Sequence, residues 1–194
     1  MRPFHFFNGV ILKIRPNYVI CAALLLFSTP AVSTTVVKME LEEIVKVSHL
    51  IVDGTVESVE SRWDEPKRLI YTYVRVVIDD RLKGDTVRSV NIKLLGGTVG
   101  AINVDVPGMP HFRVGAWAIL FLKRQQDNAM FDIVGLNQGR YEVTNEGFAV
   151  SNISGVDLLD PRTGQMTRPL FVQRFPLSEF KSRVRKLIEQ QREK

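Results

Sequence analysis

The stretch LIYTYVRVVIDDRLKGD, Leu69–Asp85, decides the fold. In it Ile70, Thr72, Val74, Val76 and Ile78 alternate with Tyr71, Tyr73 and Arg75. Successive side chains of a strand point to opposite faces, so this period of two predicts a long strand with one face in a core. Lys83-Gly84-Asp85 then supplies a turn. On the N-terminal side, HLIVDGTVESVES sets Leu50, Val52, Gly54 and Val56 on one face. On the C-terminal side, VRSVNIKLL alternates through Val90, Ile92 and Leu94. The segment RWDEPKR between the first two strands reads as a loop, because Pro66 cannot donate to a ladder. AWAILFLK is apolar on both faces, which predicts a strand buried on both sides. MFDIVG, GRYEVT and GFAVSN follow at short spacing, with Thr144–Gly147 as a hairpin turn.

Two helices flank these strands. In KMELEEIVKVSH, Leu41, Ile44 and Val45 recur at helical spacing, and the glutamates sit at the N-terminal end, where negative charge suits the helix dipole. In LSEFKSRVRKLIEQQREK, Phe180, Val184, Leu187 and Ile188 fall at i, i+4, i+7 and i+8. Ser178 is the expected N-cap, and the lysines and arginines are expected on the outer face. The segment between Asn152 and this helix is turn-rich and is expected to wrap the surface of the strands.

The first residues have a different character. YVICAALLLF, Tyr18–Phe27, follows Arg2, Lys13 and Arg15 and precedes Ala31 and Ser33. A basic leader, a short apolar core and small residues two apart read as a secretory signal peptide cleaved near Ser33. The core is about half of the ~20 residues that span a bilayer. The alternative is an uncleaved N-terminal anchor. The formal charge is +5, but three positive charges lie in the leader, leaving +2 for the mature chain. Nucleic acid is therefore a poor expectation. The one cysteine, Cys21, also lies in the leader, so the mature chain is expected to stand on its core without disulfides. At 45% hydrophobic and 24% charged residues, the composition of the full chain is that of a globular domain.

The residues with reactive chemistry form no known catalytic motif. KLLGGTVG, Lys93–Gly100, resembles a phosphate cradle, but such a loop opens a helix and carries Lys-Ser/Thr after its last glycine. Here Pro107 and Pro110 follow instead, so it reads as a loop between strands that binds no nucleotide. His49 and His111 are the only histidines after the leader. Asp105 could join His111, but no metal site and no cofactor is expected. No G-x-S-x-G elbow occurs, and Asp64-Glu65 and Asp79-Asp80 read as solvated charge beside turns.

The best surface signal is the polar face of the opening strand. Tyr71, Tyr73 and Arg75 share it, Trp63 stands in the preceding loop, and Lys93 is on the next strand. Aromatic and basic groups on one face suit contact with a partner side chain, a sugar or a base, and these five are the candidate binding residues. The alternative is that helices or the tail cover this face.

Three blocks carry a resemblance: SHLIVDGTVESVES, IYTYVRVVIDDRLKGD, and FRVGAWAILFLK with FDIVGLNQGRYEV. They resemble a family of exported bacterial proteins and, distantly, the barrel of tissue inhibitors of metalloproteinases and netrin-like modules. The matching positions are His49–Val56, Tyr71–Gly84 and Gly115–Phe121. The resemblance implies an OB-like five-stranded (or slightly larger) barrel. The inhibitors act through a mature N-terminal cysteine, whereas Thr34 is the expected first residue here, so no inhibitory residue carries over.

The expected fold is thus mainly β, an OB-like barrel with a short N-terminal helix and a C-terminal amphipathic helix. The expected divisions are a signal peptide over 1–33, the barrel domain with its N-terminal helix over 34–152, and a wrapping tail with the last helix over 153–194. The expected role is an exported, periplasmic or extracellular, non-catalytic binding module with a protein or glycan partner. The alternatives are a hydrolase with a loop-borne site and a binder of oligosaccharide or single-stranded nucleic acid. Mass spectrometry of the exported protein is expected to give an N-terminus within a few residues of Thr34. An intact Met1 or Arg2 would instead establish the anchor.

Overall fold

The computed structural model describes residues 35–65, 68–126, 130–154, 156–169 and 172–193. The leader, residues 1–33, lies outside the described residues. In chain order the elements are β1 (Thr35–Val37), α1 (Leu41–Val47), β2 (Leu50–Asp64), β3 (Leu69–Lys83), β4 (Ser89–Leu95), β5 (Gly97–Val99) and β6 (Ile102–Val104). Next come β7 (Trp117–Arg124), β8 (Phe131–Ile133), a 3-10 turn (Leu136–Gly139), β9 (Arg140–Val143) and β10 (Phe148–Ser151). The chain closes with β11 (Asp157–Leu159), β12 (Met166–Thr167), β13 (Gln173–Pro176) and α2 (Leu177–Arg192).

β2 pairs antiparallel with both β3 and β7, and β3 pairs antiparallel with β4. β8 pairs antiparallel with β7 and meets β4 in parallel at Ile92↔Phe131. Five strands therefore close into a hydrogen-bonded ring in the order β2-β3-β4-β8-β7. β9, β10 and β13 continue the sheet outward from β7. The alternation read in the sequence sets the ring's interior. Leu50, Val52 and Val56 of β2, Val74 and Val76 of β3, and Val90, Ile92 and Leu94 of β4 meet Ala118, Leu120, Leu122, Phe131 and Ile133 there.

β7 has a second core on its other face, as its two-sided apolar pattern predicts. Ile119 and Phe121 pack with Ile51, Tyr141, Val143 and Ala149 beneath Ile44 and Val45 of α1 and Phe180, Val184 and Ile188 of α2. Phe180 is edge-on to Phe121 and lies 4.3 Å, centroid to centroid, from Tyr141. Burial pushes the Tyr141 phenol up to about 12, against the opposing charge of Arg183. Each fully buried side chain of this size contributes roughly 1.5–3 kcal/mol, so the aromatic contacts make α2 part of the fold.

A buried ion network fixes the seam between α2 and the ring. Asp53 of β2 is 1% exposed, and it accepts hydrogen bonds from Trp117 Nε1 and from Lys181 Nζ, the latter at 2.6 Å. Lys181 Nζ also reaches Asp80 of β3 at 2.8 Å, and Arg185 reaches Asp80 at 3.0 Å. Burial pulls the Lys181 ammonium down, but its bonds and attraction to Asp53 and Asp80 outweigh this, and its pKa ends above 10.5. The bond from Lys181 holds the Asp80 carboxyl below its ordinary 3.8, against partial burial. At the other helix, Lys83 Nζ donates to the carbonyls of Val45 at 2.6 Å and Lys46 at 3.3 Å. A cation there suits the C-terminal end of α1, and burial lowers the pKa of Lys83.

The structure corrects four expectations. Trp63 and Asp64 belong to β2, so RWDEPKR is strand at its start, and the connection shrinks to residues 65–68. The segment after Asn152 does more than wrap the sheets: β11 pairs in parallel with β1, and β13 pairs with β10. α2 begins at Leu177 with Pro176 as its N-cap, leaving Ser178 inside the first turn, because the chain passes directly from β13 into the helix. Lys181 faces inward onto Asp53 instead of solvent, and Leu187 is only half-buried. Among the described residues no helix is long and apolar enough to cross a membrane.

Lys181→Met removes the charge that Asp53 faces and is expected to cost about 3–5 kcal/mol at neutral pH, measured by urea unfolding. Because Asp80 is lowered, its contribution is present above pH 3.8 and is lost as pH falls through the folded value. Because Lys181 is raised, its contribution is present below pH 10.5 and is lost as pH rises through the folded value. The deficit of the variant should therefore be constant between these limits and shrink outside them. A deficit that is absent at neutral pH would show that Asp53 finds another partner.

Candidate interaction face

β2 and β3 are each 15 residues long, and both outrun the ring. β7 pairs with β2 only as far as Thr55. Beyond it, Val56 exchanges backbone hydrogen bonds with Gly115 and Ala116. From there to Asp64, β2 continues with β3 and β4 as a three-stranded blade. Register shifts between Val56 and Ser58 carry the strand away from the ring.

Directly paired residues share a face. Glu60↔Tyr73, Arg62↔Tyr71 and Ser58↔Arg75 across β2–β3, with Tyr73↔Lys93 and Tyr71↔Leu95 across β3–β4, define the outer face of the blade. Four of the five candidate residues, Tyr71, Tyr73, Arg75 and Lys93, are brought together on it. Trp63 is not. It pairs with Ile70, so it lies on the opposite face, where it is 40% exposed.

The tyrosines are half-buried under cations of their own chain. Lys93 Nζ lies 4.1 Å from the Tyr71 ring centroid, and the Arg62 guanidinium lies 4.0 Å from that of Tyr73. Lys93 Nζ also donates to Asp64 Oδ2 at 3.3 Å. Burial pulls the Lys93 ammonium down, but Asp64 and Tyr73 outweigh it and leave its pKa raised. Arg75 Nε meets Glu57 Oε2 at 2.5 Å. The face thus mixes Arg62, Arg75 and Lys93 with Glu57, Glu60 and Asp64. Arg62 and Asp64 were missed from sequence. Their signal was the alternation Val59, Ser61, Trp63 against Glu60, Arg62, Asp64, which runs through the segment read as a loop.

The glycine-rich stretch lies against the inner face of the same blade. Gly97–Val99 and Ile102–Val104 form a hairpin, and no helix follows them. Gly96 N–H donates to Ile70 O at 2.8 Å, and Thr72 Oγ1 donates to Gly96 O at 2.7 Å. Gly97 has φ +127°, and a Cβ there would collide with the hydroxyls of Ser61 and Thr72. Glycine is needed here for close approach, a structural demand that in sequence looks like a phosphate loop. Asp105 and His111 do meet, at 3.4 Å, with both side chains well exposed. Among the described residues no three potential ligands gather around a metal position. His49 Nδ1 accepts the Arg124 N–H at 3.1 Å.

No protein-family model matches this chain, and no curated protein matches it.

Gly97→Ala is expected to lower stability by about 1–3 kcal/mol, from a strained φ and the collision with two hydroxyls. Thermal unfolding measures it. An unchanged melting temperature would mean that the hairpin lifts freely from Ser61 and Thr72, and would reopen the loop as a ligand site.

Proposed function

We propose that this chain is an exported, non-catalytic binding module. It presents the outer face of the β2–β3–β4 blade to a protein partner. The observation that carries this reading is the pair of half-buried tyrosines, each held under a cation on a strand face. Aromatic and arginine side chains supply much of the energy of protein interfaces, and strands hold them more firmly than loops do. α1 and α2 pack over β7, β9 and β10, and α2 reaches β3 at Asp80, away from the tyrosines.

The same face argues for protein over polymer. A base or a sugar stacks on an open ring, but here each ring already has a cation against it. Displacing that cation would cost ~0.5–1 kcal/mol for each ring. Three cations and three carboxylates present a mixed pattern, which a complementary protein surface reads in register. A polyanion would meet the three carboxylates.

The scaffold reading is an OB-like barrel. The ring order, with its first, second and fourth strands antiparallel neighbours and its third and fifth strands parallel, supports it. In such barrels the face of the second and third strands binds ligands, and those strands correspond to β3 and β4. The likeness to netrin-like modules and to an exported bacterial family belongs to this proposal. So does export, which rests on the leader.

Tyr73→Ala with Arg75→Ala, in protein still folded by circular dichroism, is expected to weaken binding to a partner captured from the envelope fraction by about 2 kcal/mol or more. Affinity equal to that of the unaltered protein would exclude this face. A captured glycan would replace the protein reading with the polymer one.

A further inference from the structure

We propose that a second copy of this chain pairs with the free edge of the blade, β2 against β2, antiparallel and centred on Ser61. Up to Thr55 this edge is occupied by β7, and Val56 is bonded to Gly115 and Ala116. From Glu57 to Asp64 no strand among the described residues pairs with that side. A strand edge of this length exposes a row of backbone donors and acceptors. Adding an extended strand satisfies them, and the facing side chains decide which strand is accepted.

The side chains of this edge are complementary to themselves. With Ser61 on the two-fold axis, Glu60 of each copy faces Arg62 of the other, and Val59 of each faces Trp63 of the other. Ser58 faces Asp64. Each of these pairs occurs twice, because a two-fold interface repeats every contact. Moving the axis by one position in either direction destroys the match. Centred on Glu60, the two Glu60 carboxylates oppose each other. Centred on Arg62, the two guanidinium groups oppose each other and Glu60 faces Asp64. Like charges directly opposite are destabilising, so the Ser61 register is selected.

Side chains within one copy are placed for this contact. Glu60 makes no ion pair among the described residues, and Arg62 rests on the Tyr73 ring without meeting a carboxylate. Trp63 is 40% exposed, whereas Val59 is partly buried against the ring core. Charged side chains on a strand edge ordinarily repel a copy of the same strand. These attract one, because opposite signs sit at Glu60 and Arg62, symmetric about Ser61. The two-fold axis stands perpendicular to the sheet, so both copies' tyrosine faces fall on the same side of a six-stranded blade. The inference does not depend on what binds that face.

Sedimentation velocity of the full chain across a concentration series tests it, with Arg62→Glu, Glu60→Arg and the double swap. The unaltered chain is expected to dimerise. Each single change is expected to weaken the dimer by at least about tenfold, and the double swap, which restores opposite charges, to recover it. Amide exchange over residues 57–64 should slow as concentration rises, a readout that needs no variant. A monomer at ~100 μM, where association weaker than about 5.5 kcal/mol escapes detection, would overturn the proposal. So would a dimer indifferent to the single changes, single changes that the double swap does not repair, or exchange over 57–64 that is independent of concentration.

Discussion

The contact between Lys181 and Asp53 joins the two halves of this molecule. Asp53 sits on a strand whose other buried positions are apolar, under a helix that could otherwise slide along its own apolar stripe. An unpaired carboxylate at 1% exposure would be very costly. It is met by Trp117 of β7 and by Lys181 of α2, and Lys181 is shared with Asp80 of β3. One helical side chain is thereby fixed against two strands, and through Asp53 it is linked to a third. A buried ion pair adds little to stability compared with apolar packing of the same volume. Its effect here is directional: only one axial position of α2 places Lys181 between two carboxylates. That position also stacks Phe180 against Tyr141 and Phe175.

β7 transmits this constraint to the ring. Its alternate residues belong to two cores, Leu120 and Leu122 to the ring interior and Ile119 and Phe121 to the layer beneath the helices. A helix fixed on the outer layer therefore stiffens the strand that lines the inner one. Closure of the ring itself is slender, a single parallel pair at Ile92↔Phe131. The Phe131 ring lies 5.0 Å from the Arg124 guanidinium, at the end of β7. The antiparallel ladder with β7, from Leu122↔Ile133 to Arg124↔Phe131, keeps β8 in place, and side-chain packing around Phe131 supports its contact with β4.

The ring was legible in the sequence because its strands obey a local rule. The alternation at Ile70–Ile78 and Val90–Leu94, and its absence in Trp117–Arg124, follow from which faces are buried, and each pattern lies within one segment. The stripe of α2 was legible for the same reason. What escaped depends on partners distant in sequence. Lys181 looks like any surface lysine until Asp53, more than a hundred residues away, is seen beneath it. β11 and β13 are short and gain their identity from β1 and β10. Trp63 was placed with the tyrosines because Pro66 made its neighbourhood read as a loop. Once β2 is known to run to Asp64, parity alone puts it on the other face. The glycines of KLLGGTVG read as a loop between strands and not as a phosphate cradle, but nothing in the sequence signalled the close approach to Ser61 and Thr72, which lie on other strands.

The separation between the helix seam and the blade has a consequence for the order of the tyrosine face. α2 fixes the ring at Asp53 and Asp80, while Tyr71 and Tyr73 lie several residues farther along the same ribbon, where β7 no longer pairs with β2. Bonds along β2–β3 and β3–β4 hold the blade, and the glycine-rich hairpin supports its inner face, so no helix is needed to hold it. Lys93 and Arg62 then restrict the tyrosine rings. Ordering a mobile side chain at an interface costs ~0.5–1.5 kcal/mol, and residues already held under a cation lose less of that freedom. A surface can thus be open to solvent and still preorganised when strand register sets its backbone and its own charges set its aromatic rings. On this chain the blade is where both conditions coincide.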